Sequence, residues 1–464
     1  MRRVCVALCL VLTCLLAACS GMVPARPQVI THPDGPLYVG DQVSFEVLAP
    51  AGEKDPSGSV SVIFNGRSLG NSDFASFGIG NRFQATLWLV WDTKGLKPGN
   101  YKLTFTRFPA NTTWTRTFSL LPENQVPPPE PQAHWASVTT TCCNIYYITG
   151  TAAERDISGL SREADLQSAD VSKQLGFKLD KRMNLILMSR VVGQGGFTRG
   201  DIYISYLDGN IMSNNAPILF HHEFVHFYDG EMEGKYRPTF FEEGLAVYLT
   251  GGHYKLEPLA ARAAALLNLG WYIPLPTLAD DFYNQQHEIS YLEAATLVNY
   301  MVQTYGWEAF NQFYRDIQPP AGRSDSVVID AALQAHFKLS LAELETAYLA
   351  SLRAQTFTDS QRSDLRVTVD YFNTVRRYQK DLDPSAYFLT AWLPEASSMR
   401  KNGIVADLLR HPTAWDNRLI ENLLVRAQAE MLSARYSAAE STLKEINLIL
   451  QLIERVLVYP WPPR

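Results

Sequence analysis

His222-Glu223-Phe224-Val225-His226 and, a short way downstream, Phe240-Phe241-Glu242-Glu243-Gly244-Leu245-Ala246 are the stretches on which the reading of this chain turns. Asn215-Ala216-Pro217 ahead of the first has the composition of a helix start, and Gly230 that of a stop. Between them Phe220, Phe224 and Phe227 recur at helical spacing, as a buried stripe does. On such a helix His222 and His226 fall one turn apart, where two imidazoles can bind a single ion. Glu223 stands beside the first of them, placed to take a proton from a water. Taken alone, the pentapeptide also fits two histidines on a surface helix. The second stretch argues against that, because a catalytic zinc site keeps three protein ligands and one open position. Thr239 and Glu242 have capping-box spacing, which gives Glu242 a task at the helix start. Glu243 is left as the third ligand, and Gly244 beside it would let this helix come close to the first.

Working outward, Ile145 to Ile148, Met183 to Met188 and Asp201 to Tyr206 read as strands and Ala152 to Leu175 as a helix, while helical periods dominate from Ala216 onward. Strands first and helices after make an α+β domain, bounded here at 135–354. Within it His221 reads as a helix neighbour and not a ligand. Asp229 reads either as a residue orienting a ligand histidine or as a solvated helix end. His287 is a weak candidate, since a lone histidine near a helix start is ordinarily a surface residue. Trp271-Tyr272 fits a core better than a cleft.

The two motifs in this order resemble the gluzincin superfamily, the peptidase MA group that includes thermolysin and the membrane-alanyl-type aminopeptidases. The resemblance covers roughly Ile145 to Ala354, including Thr149-Gly150-Thr151-Ala152-Ala153-Glu154-Arg155 and Tyr291-Leu292-Glu293-Ala294-Ala295. It implies a thermolysin-like domain, one Zn2+ per chain held by His222, His226 and Glu243, and Glu223 as catalytic base. It also implies an oxyanion-stabilising role for Tyr291, for which core packing is the competing account. Aminopeptidases of the group carry a Gly-x-Met-Glu-Asn segment whose glutamate holds the substrate's amine. The comparable Gly195-Gly196-Phe197-Thr198-Arg199-Gly200 has no acidic residue, so the expectation is an endopeptidase, with Asp201 to Tyr206 pairing an extended peptide.

The flanks complete the layout. Arg2-Arg3, the apolar run Val4 to Ala18 and Cys19 form a processing signal, 1–19, shorter in its apolar part than the ~20 residues of a spanning helix. Leu16-Ala17-Ala18-Cys19 resembles a bacterial lipobox, which implies lipidation at Cys19 and an extracytoplasmic protein anchored to the cell membrane by lipid. Residues 20–36 read as a spacer. From 37 to 121, short alternating strands such as Val43 to Val47 and Val60 to Phe64 alternate with turns such as Asn65-Gly66, the pattern of a β-sandwich. Its Trp91-Asp92-Thr93 and Gly99-Asn100-Tyr101 resemble the last hairpin of bacterial immunoglobulin-like modules. Residues 122–134, with Pro127-Pro128-Pro129-Glu130-Pro131, read as a stiff linker. Residues 355–464 read as a small all-α domain, a candidate docking surface for a protein partner. The expected architecture is thus multidomain: an immunoglobulin-like β-sandwich, an α+β peptidase domain and a helical tail.

Composition bounds the rest. Apolar residues make up 46% and charged residues 19% of the 464, as in globular chains, and a net charge of −6 without a basic stripe leaves no footprint for nucleic acid. Of the six cysteines, Cys5, Cys9 and Cys14 leave with the signal, and Cys142-Cys143 can close a disulfide or pack in or beside a strand. The latter is the simpler expectation. The rival to the enzyme reading is a non-catalytic cell-surface binding or envelope-assembly protein on the same scaffold; against it stands the intact base Glu223, which a structural metal site does not need.

Overall fold

The computed structural model describes residues 28–458 apart from 50–56, 78–81, 192, 194, 214, 384–395 and 411–413. Cys19 and the processing signal lie outside the described residues. The chain forms two compact units that meet at residues 125 and 126. No described helix is long and apolar enough to cross a membrane.

The first unit is all β. Its strands are β1 (Val29–His32), β2 (Leu37–Tyr38), β3 (Gln42–Leu48), β4 (Ser59–Phe64), β5 (Arg67–Phe77), β6 (Arg82–Asp92), β7 (Gly99–Phe108) and β8 (Thr112–Leu121). They hydrogen-bond in the order β1-β3-β6-β5-β4-β7-β8-β2. β5 is shared: Arg67 to Asp73 pairs with β4, and Phe74 to Phe77 pairs with β6. Side chains alternate along the strands, so Phe45 and Trp91 on one side meet Phe105 and Phe118 on the other, with ring centroids 5.3–5.9 Å apart. β1 begins earlier than the spacer reading of 20–36 allowed. Val29, Ile30 and Thr31 are β-branched residues that suit an edge strand, and they pair with β3.

The second unit is mixed α and β. Its strands are β9 (Trp135–Thr139), β10 (Cys143–Ile148), β11 (Met183–Met188), β12 (Gly196–Arg199) and β13 (Asp201–Ser205), in the order β12-β13-β11-β10-β9. β10, β11 and β13 run parallel, and the outer two are antiparallel to their neighbours. Helix α1 (Ala152–Leu175) makes the crossover from β10 to β11. One expectation is corrected here: β13 is an inner strand, and the free edge belongs to β12. Gly200, with φ of 77°, turns the chain back after Arg199 and gives β13 a second partner. Cys142 and Cys143 are joined by a disulfide, and Cys143 also opens β10 fully buried, so the pair packs on a strand in oxidised form.

Helices follow: α2 (Ala216–Glu231), α3 (Thr239–Thr250), α4 (Leu259–Asn268), α5 (Leu275–Asp280), α6 (His287–Tyr305), α7 (Trp307–Asp316), α8 (Asp325–Phe337), α9 (Leu341–Arg353), α10 (Asp359–Asp381), α11 (Ala396–Asn402), α12 (Ala406–Leu409), α13 (Trp415–Leu432) and α14 (Tyr436–Val458). The described residues between 355 and 458 belong to the same compact unit as the sheet. Their buried face, with Tyr371, Ile420 and Ile446, shares one apolar cluster with Ile211, Met212 and Tyr254. Polar ties add to it: Trp135 Nε1 donates to the Ile404 carbonyl at 2.9 Å, and Arg410 forks onto the Glu130 carboxylate at 2.6 and 2.8 Å. The proline-rich stretch is therefore held at Glu130, the first residue of the second of two short 3-10 turns, Glu123–Gln125 and Glu130–Gln132.

Candidate metal centre

Asn215 caps α2 by accepting from the Ile218 N–H at 3.4 Å, and Pro217 sits in the first turn, as the sequence suggested. Phe220 and Phe224 are fully buried and Phe227 nearly so, which fixes the rotation of the helix. His222, Glu223 and His226 are thereby set against α3. Three donor atoms converge there. His226 Nε2 lies 3.0 Å from His222 Nε2 and 3.1 Å from Glu243 Oε2, and His222 Nε2 lies 3.4 Å from the same oxygen. A near-equilateral triangle of two imidazole nitrogens and one carboxylate oxygen is a face that can hold a metal ion. Side-chain exposures of 9%, 12% and 9% make it a largely dry site.

The charges are arranged accordingly. Burial works to raise Glu243, but His226 and His222 hold its carboxyl well below the usual range. Burial works against charge on His226 too, yet Glu243 outweighs it and raises that imidazole to about 10. A metal ion bound by the three donors would displace that proton from His226, because a ligating imidazole is neutral. Burial pushes His222 down to about 4, which keeps it neutral, the form that ligates.

Glu223 is held apart from this triangle. Burial raises its carboxyl to about 7, close to ideal for accepting and returning a proton near neutrality. The Thr198 hydroxyl donates to Oε2 at 2.7 Å and fixes the rotamer. Gly196 explains how close β12 comes: a Cβ there would lie 2.4 Å from Glu223 Oε1. The Gly195–Gly200 stretch, which lacks the expected acid, therefore presses its backbone and one hydroxyl onto the base.

Several expectations are revised. Glu242 caps nothing: Pro238 is the N-cap of α3 without a side-chain bond, and Glu242 Oε1 lies 3.9 Å from His226 Nδ1. Gly244 does not bring α3 to α2. It faces α6, where a Cβ would come within 2.7 Å of the Ala294 carbonyl oxygen. Asp229 reaches no ligand histidine and is not solvated; Arg237, Arg315 and Tyr314 hold its carboxylate at 2.9, 2.5 and 2.9 Å. His221 is a helix neighbour as expected, with Nδ1 3.1 Å from the Thr250 hydroxyl. Tyr291 is buried, its ring centroid 6.3 Å from that of His222 and stacked on His253 at 3.9 Å.

Three contributors were not foreseen. The Tyr283 hydroxyl donates to Glu243 Oε1 at 2.7 Å from a ring that is 59% exposed. Thr198 holds the base, and His253 approaches His222 with ring centroids 5.6 Å apart. Of these, only His253 left a trace in the sequence, as a histidine just after the second motif. His287, expected at the surface, is buried beside it.

No family model matches the chain, and no curated protein matches it. A solved structure that matches is that of an aminopeptidase N family protein from Idiomarina loihiensis, 10% identical, with a TM-score of 0.29, covering 72% of this chain and 77% of that one. A likeness this slight carries no argument, so function is read from the site itself.

Proposed function

We propose that the chain is a zinc-dependent peptidase of gluzincin type that cleaves within extended peptides. The observation that carries the reading is the donor triangle of His222, His226 and Glu243 with a buried, neutral-range carboxyl, Glu223, beside it. When bound, zinc supplies Lewis acidity, polarising the scissile carbonyl and acidifying the attacking water. Glu223 takes the proton from that water and returns it to the leaving amine. Thr198 keeps the carboxylate aimed, and the β12 backbone shields it from bulk water. Tyr283 orients Glu243 through the oxygen that does not face the histidines. Tyr291 is assigned the oxyanion, by its place beside His222 and its electrostatic interaction with Glu243 and Glu223.

The free edge of β12 suits pairing with an extended substrate, and the lack of an acidic residue there favours endopeptidase over aminopeptidase action. The lipobox-like Leu16 to Cys19 supports a lipid-anchored protein on the outer side of the membrane, and the all-β unit suits an immunoglobulin-like spacer between anchor and catalytic unit.

The test is a peptide-library cleavage assay on the zinc-loaded chain and its Glu223→Gln variant. The native chain is expected to cut internal bonds and the variant to lose roughly 10²–10⁴-fold in rate while keeping its metal. Undiminished cleavage by the variant, or none by the loaded native chain, would overturn the reading.

A further inference from the structure

Beside the first centre lies a second convergence of ligating side chains that the proposed mechanism does not use. His253 comes from the loop after α3, and His287 and Glu288 open α6. His253 Nδ1 and His287 Nδ1 each lie 2.9 Å from the same oxygen, Glu288 Oε1. All three donor atoms fall within 4.8 Å of one another, as do those of His222, His226 and Glu243. The carboxylate is 3% exposed, and the imidazoles 14% and 7%. A carboxylate taken that far from water requires positive charge or several donors around it.

The rings are held in place. His253 is sandwiched flat on Tyr291, with an interplanar angle of 7°, and His287 lies over Phe372 at 5.6 Å. His287 Nε2 is buried without a hydrogen-bond partner among the described residues, so no neighbour fixes the tautomer from that side, and a proton there would be a buried donor left unpaired. In that tautomer Nδ1 can offer a lone pair inward, in the direction of the carboxylate. Two imidazole nitrogens and one carboxylate oxygen are the donor set of a borderline divalent ion such as zinc, and unsuited to calcium or magnesium, which prefer oxygen throughout.

We propose that His253, His287 and Glu288 form a second divalent-cation site, neighbouring the first and taking a zinc-class ion. The alternative arrangement of the same atoms is a cation-free triad in which Glu288 accepts from both imidazoles. The two differ in metal content, and the site stands or falls independently of hydrolysis.

The deciding experiment uses the full chain in detergent, stripped of metal, reloaded with zinc and dialysed, with metal counted by elemental mass spectrometry. The native chain is expected to retain about two zinc ions, and Glu243→Ala, His287→Ala and Glu288→Gln about one each. Glu288→Gln keeps the side chain's shape, so a matched melting curve separates loss of a ligand from loss of the fold. Anomalous scattering at the zinc edge from native crystals should show a peak among the three side chains. One ion in the native chain, lost in Glu243→Ala and unchanged in the His287 and Glu288 variants, overturns the second site and leaves the first standing. No ion in the native chain overturns both.

Discussion

Position 196 carries the sharpest constraint on a single residue. A methyl group there would sit 2.4 Å from the Glu223 carboxylate, so either the base or β12 must shift. A displacement of about 1 Å in a catalytic group costs ~10²-fold in rate. Gly196→Ala is accordingly expected to lose activity on that order with zinc content unchanged, read by peptide hydrolysis alongside elemental analysis. Tyr283→Phe removes the 2.7 Å bond to Glu243 and nothing else of the ring. Loss of such a partner to a ligand costs roughly 10–100-fold in metal affinity, and competition with a chromophoric chelator would measure it. That His222, His226 and Glu243 would converge was legible in the sequence, because a helix fixes the relation of His222 to His226 and a second helix limits the reach of Glu243. Thr198 and Tyr283 were not, and His253 only through its place just after the second motif, since they arrive from a strand, a 3-10 turn and a loop whose approach depends on tertiary packing. Glu242 and Gly244 were misread for the same reason: local spacing does not show that Pro238 is the N-cap in place of Thr239, or that Gly244 faces α6.

Among the elements, the last two helices show how one polar contact can tie a hairpin. Glu430 on α13 accepts from the Thr442 hydroxyl of α14 at 2.8 Å and from Arg426 at 3.0 Å. Against a burial cost that would raise it, Thr442 and Arg426 hold the Glu430 carboxyl below its ordinary 4.5. A depressed folded-state value means stability that is complete above the unfolded value and lost as pH falls through the folded one. Thr442→Val is expected to cost about 1 kcal/mol at neutral pH. As pH falls through the folded-state value that difference should shrink, as urea titrations at neutral and acid pH would show. Strands and helices with clear periods, such as β11 and α1, were legible from their patterns. β1 was not, because four residues beside prolines look like a tether until a partner strand is supplied. The edge position of β12 was likewise hidden, since sheet order is set by pairings between segments and not by any one of them.

For the molecule as a whole, the helical tail is structural to the unit that bears the candidate metal centre. Ile211, Met212 and Tyr254 are buried with Val367, Tyr371, Leu424 and Leu450, and Tyr254 adjoins His253 in sequence. Glu130 and Arg410 form a pair only 11% and 7% exposed, and stranding one member of such a pair costs about 3–5 kcal/mol. A chain ending at Ala354 is therefore expected to lose cooperative melting and to expose apolar surface, which calorimetry and dye binding would report. A truncated chain that melts like the native one would contradict this. The shared cluster also sets an order in time. Synthesis delivers residues 211–254 long before 420–450, so the loop carrying His253 waits, half packed, for the end of its own chain. The proposed hydrolysis is then withheld from nascent lengths that lack these helices, a delay built into the order of the sequence.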